Sequence, residues 1–91
     1  MAMVRRRAWY GGTVQGVGFR FTTRRVAHSR DVTGYVKNLP DGRVEVVAEG
    51  PAEEVEVFLA DVRRAMSAYI HEAQIVEEPP TGAFEGFGVA F

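Results

Sequence analysis

The sequence has no cysteine. That excludes disulfides, Cys-ligated zinc and thiol nucleophiles, and it fits a reducing cytoplasm, the expected location. Histidine is scarce: His28 and His71 lie far apart and at no metal-ligand spacing, so both are expected to be surface or half-buried side chains. Ser29 and Ser67 have no base signature beside them. Neither sign of charge dominates. Eleven basic and twelve acidic residues leave a net charge of −1, so no general attraction to nucleic acid or anionic membrane is expected. Any anion site has to come from local arrangement. No apolar stretch reaches the length of a membrane span, and none of signal-peptide length follows Arg5-Arg6-Arg7. Those three arginines fit a nucleic-acid arm, but a solvated strand edge or frayed end is the expected reading. The 91 residues suit one compact domain over 1–91, and 46% hydrophobic residues suffice for an ordinary core.

Periodicity and turn chemistry divide the chain. Arg5 to Val14 reads as a first strand, with Trp9 and Tyr10 adding aromatic β-propensity. Phe19 to about Arg30 reads as a helix on a thin apolar stripe of Phe19, Val26 and Ala27, with Arg24, Arg25 and Arg30 on its wet face or at its end. Val32 to Leu39 is a second strand. Leu39-Pro40-Asp41-Gly42 is a turn, and Arg43 to Glu49 alternates as a third strand, so these two form a hairpin. Gly50-Pro51 opens a second helix, whose Val55, Phe58, Leu59, Val62 and Met66 fall on one face. Tyr69 to Glu77 is a weakly alternating fourth strand, Glu78 to Gly82 a loop, and Phe87 to Phe91 a short fifth strand. The order β-α-β-β-α-β plus a short strand predicts an α+β, ferredoxin-like split βαβ fold. Its sheet is expected to be mostly antiparallel, with both helices on one face.

Between the first strand and the first helix lies Gly12-Thr13-Val14-Gln15-Gly16-Val17-Gly18-Phe19-Arg20. Glycines let a backbone turn successive N–H groups inward as an anion-binding nest. The helix that follows adds the unpaired N–H groups and positive dipole end of its first turn. Arg20 offers a planar fork of donors matched to phosphate oxygens. Taken alone, the glycines equally fit a tight strand–helix turn with a solvated arginine. The loop lacks the Lys-Ser/Thr ending of a nucleotide P-loop and the third glycine of a dinucleotide fingerprint.

An anion cradle with no evident acid, base or nucleophile limits the chemistry. A leaving group that is already a weak base needs no general acid, and a carboxylate, with a pKa of roughly 4, qualifies. Phosphoryl transfer is driven mainly by positioning and charge stabilisation. Hydrolysis of a carboxyl–phosphate anhydride therefore suits such a site, provided one group holds a water in line. Asn38, just before the turn, is the candidate if the first two strands lie close, because an amide accepts and donates at once. An asparagine that closes the turn on its own backbone fits the position equally.

These residues carry a family resemblance. Gly12 to Arg20 resembles the phosphate-binding loop of the acylphosphatase family. Gly34-Tyr35-Val36-Lys37-Asn38, followed by Gly42-Arg43-Val44 and Gly50, resembles its second signature, and Phe84-Glu85-Gly86-Phe87 is of the kind seen in bacterial members. The resemblance implies hydrolysis of acyl phosphates without metal or cofactor, with inorganic phosphate as product and inhibitor. It places the phosphoryl group on Arg20 and on loop amides matching Gln15, Gly16, Val17, Gly18 and Phe19, and gives Asn38 the water. A monomer is expected, with no nucleic-acid or membrane partner. Tyr10 departs from the usual aliphatic residue, Thr22 and Thr23 from bulkier apolar ones, and Arg30-Asp31 from a Leu-Gly helix end. A weak first helix follows, and Asp31→Gly would stabilise it if Asp31 has φ > 0. Two alternatives stay open: a non-catalytic module of a larger protein, and an RNA-binding ferredoxin-like domain. The second would need Gly18-Phe19-Arg20-Phe21 on a strand.

Overall fold

In the computed structural model residues 2–91 are described. Their elements are β1 (Met3–Gly12), α1 (Phe19–His28), β2 (Thr33–Asn38), β3 (Val44–Pro51), α2 (Ala52–Ala65), β4 (Ile70–Glu78) and β5 (Phe87–Ala90). They form one five-stranded sheet in the order β4-β1-β3-β2-β5. β1 pairs antiparallel with β3 and β4, β2 pairs antiparallel with β3, and β5 alone runs parallel, beside β2. This is the expected ferredoxin-like arrangement. Element ends move by one or two residues, as hydrogen-bond definitions allow. Glu78, expected in the loop, instead closes β4.

The helices and the sheet share one core. Alternate residues of the strands, Ala8 and Tyr10, Val36, Val44 and Val46, meet Phe19 and Ala27 of α1 and Val55, Phe58 and Val62 of α2, all buried. Phe58 lies edge-on to Phe87 with ring centroids 5.3 Å apart, which locks the last strand to α2. Gly34 shows why one β2 position must lack a side chain. Its φ is +141°, and a Cβ there would lie 1.8 Å from the Val47 carbonyl oxygen.

The opposite face carries ions. The arginine run is not a solvated edge: β1 sits inside the sheet, and its neighbours supply carboxylates. Arg5 bonds Glu49 and Glu78, each at 2.8 Å. Arg7 bonds Glu78 at 2.8 Å and lies 3.3 Å from Glu45. Arg6, on the alternate face, meets Glu77 at 3.0 Å. Glu45 also accepts from Tyr35 Oη at 2.6 Å and Trp9 Nε1 at 2.9 Å. The segment 79–86 crosses this face and is pinned there by Glu49. That carboxylate accepts from the Gly82 N–H at 2.8 Å, the Thr81 hydroxyl at 2.8 Å and the Thr81 N–H. Phe84 then stands edge-on to Tyr35 and beneath the Arg5 guanidinium. Burial pushes the Glu49 carboxyl up, but the Gly82 and Thr81 donors and Arg5 outweigh it and hold the pKa at about 2.

The end of α1 differs from expectation. No non-glycine among the described residues has φ > 0, so Asp31 is not a left-handed cap and Asp31→Gly loses its rationale. The Asp31 N–H donates to Glu54 at 2.8 Å, and Arg30 reaches Asp61 at 3.5 Å and Glu54 at 4.0 Å. The two residues that looked like a faulty helix end instead tie α1 to α2. Tyr10 and Thr23 fill core positions, and both hydroxyls are buried without a partner among the described residues. Burial pushes the Tyr10 phenol up to about 12. His28 and His71 are exposed, as expected. Among the described residues no helix is long and apolar enough to cross a membrane.

Candidate active site

Residues 13–18 carry the chain from β1 to α1. Gly16 and Gly18 both have φ of +79°, a left-handed conformation that side-chain-bearing residues seldom adopt. No atom lies within 4 Å of where their Cβ atoms would be, so the loop faces open space. Gly18 is the N-cap of α1. No side chain caps that end, and no acidic residue sits in its first turn. The first-turn N–H groups and the positive end of the dipole are therefore unopposed there. By contrast, α2 has Glu53 and Glu54 in its first turn.

β1 and β2 are not neighbours, because β3 lies between them. Register nevertheless brings Asn38 to the loop. Tyr10 and Asn38 both pair with Val44, so the end of β1, the start of β3 and the end of β2 lie at one level. Gln15 fastens the two halves together: its side-chain amide donates to the Leu39 carbonyl at 2.8 Å and the Arg43 carbonyl at 3.0 Å. The turn closes without Asn38. Leu39 N–H donates to the Arg43 carbonyl, Gly42 N–H to the Leu39 carbonyl, and Arg43 N–H to Asp41 Oδ1. Asn38 instead lines a cleft of about 640 Å³ with Gly16, Gly18, Phe19 and Arg20. Gln15 and Val17 do not line it; Val17 packs against the core.

Arg20 is half-buried, and its guanidinium carbon lies 5.6 Å from the Phe91 ring centroid. It has no carboxylate within 4.0 Å among the described residues, in contrast to Arg5, Arg6, Arg7, Arg30, Arg43 and Arg64. An unpaired guanidinium beside an uncapped helix start is an arrangement that an oxyanion completes. Gly88, Val89 and Phe91 form the far wall, and Arg24, one turn beyond Arg20, lines the same cleft. Sequence reasoning assigned none of these to the site. The glycines at 86 and 88 carried the only hint, because glycine in a strand often marks a close approach.

The sequence profile of the acylphosphatase family matches residues 6–89, which takes in the loop, Asn38 and, of the far wall, Gly88 and Val89. The chain belongs to the acylphosphatase family. A relative from Syntrophotalea carbinolica, named acylphosphatase, is 44% identical over 92 residues that cover 100% of both chains. The crystal structure of acylphosphatase from Bacillus subtilis superposes with a TM-score of 0.87 and 30% identity, covering 97% of this chain and 99% of that one. The crystal structure of HypF from T. kodakarensis matches with a TM-score of 0.78 and 35% identity, covering 99% of this chain but 12% of that one. The family fold is therefore found both free-standing and within a longer chain.

The residues Gly18-Phe19-Arg20-Phe21 open α1, and Phe19 is buried against Tyr10 with ring centroids 5.3 Å apart. They do not lie on a strand with aromatics on an open sheet face, as an RNA-binding motif of this kind requires.

Proposed function

We propose that this chain hydrolyses acyl phosphates to a carboxylate and inorganic phosphate as a single catalytic domain spanning 1–91. The observation that carries the reading is one cleft that joins the uncapped start of α1, the unpaired Arg20 and Asn38. The phosphoryl oxygens take the N–H groups of the Gln15–Phe19 loop and the Arg20 guanidinium. The Asn38 amide orients a water opposite the acyl oxygen. The water oxygen bonds to phosphorus as the bond from phosphorus to the acyl oxygen breaks, and the electron pair leaves on the carboxylate. The water's protons stay on the inorganic phosphate or pass to solvent. No general acid is required, because a carboxylate of pKa roughly 4 leaves as the anion at neutral pH. Charge on the phosphoryl oxygens is met by donors fixed before the reaction starts. The same reading takes the chain as monomeric and cytoplasmic, independent of metal, and without nucleic-acid or membrane partners.

The test is phosphate release from benzoyl phosphate by purified protein in the presence of EDTA. Turnover abolished by EDTA and restored by a divalent metal would overturn the metal-free mechanism. No turnover under any condition would favour the second reading, a non-catalytic module, for which the likeness to 12% of HypF is the supporting observation.

A further inference from the structure

A group that holds a water in line with a breaking bond depends on its distance from the bound phosphoryl group. A misplacement of about 1 Å can cost on the order of 10²-fold in rate. Little of the sheet fixes that distance for Asn38. The β1–β3 ladder ends at Tyr10–Val44, and beyond it Gly11 and Gly12 pair only with β4. Among the described residues, the only hydrogen bonds from residues 13–18 to the β2–β3 hairpin come from the Gln15 side-chain amide. It donates to the Leu39 carbonyl at 2.8 Å and to the Arg43 carbonyl at 3.0 Å. No side-chain hydrogen bond among the described residues holds the Asn38 amide itself, so its placement is inherited from its backbone.

The two gripped carbonyls sit beside that backbone. Leu39 follows Asn38 and Arg43 precedes Val44, so both belong to the rung next to the Asn38–Val44 pair. The turn does not need the grip in order to close. The Arg43 carbonyl already accepts from the Leu39 N–H at 2.8 Å, and the Leu39 carbonyl from the Gly42 N–H at 3.1 Å. A carbonyl has two lone pairs, and Gln15 takes the second on each. What its bonds add is a fixed relation between the turn and the loop. The Gln15 side chain is half-buried and does not line the cleft, so it acts only through other residues.

We propose that the Gln15 side chain is a positioning residue for acyl phosphate hydrolysis, which sets Asn38 at its working distance from the oxyanion loop by gripping the Leu39 and Arg43 carbonyls. The inference rests on the reading of Asn38 as the group that orients the water, and adds the residue that places it.

Gln15→Met keeps the length of the side chain and the backbone N–H but removes both donors. Its turnover of benzoyl phosphate is expected to fall by roughly 10- to 10²-fold. Phosphate affinity by calorimetry should stay within about twofold, because the loop N–H groups and Arg20 are untouched. In an Asn38→Ala background the same substitution should cost less than about twofold in turnover, since no amide is left to place. A role in stability alone would not give that pattern: the urea midpoint should drop equally in both backgrounds. Gln15→Asn keeps the amide but draws it back by one methylene. It should show the same split to a smaller degree, and it carries the test if circular dichroism shows Gln15→Met unfolded. Near-native turnover in the Gln15 variant overturns the inference. So does a parallel loss of phosphate affinity, or a full further loss of turnover in the Asn38→Ala background. Wild-type turnover in Asn38→Ala alone removes the underlying reading of Asn38, and the inference falls with it.

Discussion

Replacing Glu49 by glutamine should cost this fold stability in a strongly pH-dependent way. The carboxylate is 3% exposed and is held by Arg5, Gly82 and Thr81, which keep its pKa at about 2 against an ordinary 4.5. A folded-state pKa below the unfolded one adds stability that is complete above pH 4.5 and is lost as pH falls through about 2. At 1.36 kcal/mol per pKa unit, the ionised form contributes on the order of 3 kcal/mol at pH 7. The same linkage leaves roughly half of that at pH 3 and only a small remainder at pH 2. Glu49→Gln keeps the shape but puts an NH₂, which accepts nothing, in place of an oxygen on which donors converge, so either the Gly82 N–H or the Arg5 guanidinium is left facing a donor. Urea unfolding of both proteins at pH 7, 3 and 2 measures the difference directly. With a urea slope of roughly 1–3 kcal/mol/M, the midpoint at pH 7 should fall by roughly 1–3 M, and the gap should narrow as the pH is lowered. A gap below about 1 kcal/mol at pH 7, or one that does not change with pH, would refute an ionised Glu49 as the anchor of the 79–86 segment.

Other outcomes follow from the cleft and the sheet. Inorganic phosphate or sulfate should inhibit competitively, and a crystal grown with either should show density at the start of α1 beside Arg20. Arg20→Gln should lose both turnover and phosphate affinity, whereas Asn38→Ala should lose turnover by at least about 10²-fold yet still bind phosphate by calorimetry. Near-native turnover in Asn38→Ala would remove its role with the water. Gly34→Ala should destabilise by at least about 3 kcal/mol, read from urea midpoints, because left-handed strain adds to a clash with the Val47 carbonyl.

The order of elements was legible because each boundary carried local chemistry. Gly11-Gly12, Leu39-Pro40-Asp41-Gly42 and Gly50-Pro51 stop strands by their own backbone preferences. The loop and Arg20 were legible for the same reason, as a run of glycines leading into a helix. Arg5 and Arg7 were misread because what decides them is non-local. Glu49, Glu45 and Glu78 reach them across strand pairs, which no sequence period records. Asp31 was misread for a similar reason: a glutamate on the other helix satisfies its N–H. Asn38 lies near the loop because β1 and β2 flank β3 and both pair with Val44, which meets the condition the sequence set, that the first two strands lie close. The staple from Gln15 had no sequence signal, because a polar side chain in a loop gives no sign of which carbonyl it will find.

The position of β1 bears on how the chain reaches this fold. Arg5 meets Glu49 and Glu78 at sequence separations of 44 and 73. Both strands that flank β1 therefore emerge from the ribosome well after it does. The cleft is split in the same way, since the loop and α1 precede Gly88, Val89 and Phe91 by about 70 residues of chain. Closing loops of this size before any contact forms is entropically costly, and chains with such distant pairings fold slowly. Until β5 has emerged, a nascent chain would carry the 13–18 loop without the wall that faces it across the cleft. The cleft would then close in one event, with the docking of β5 beside β2.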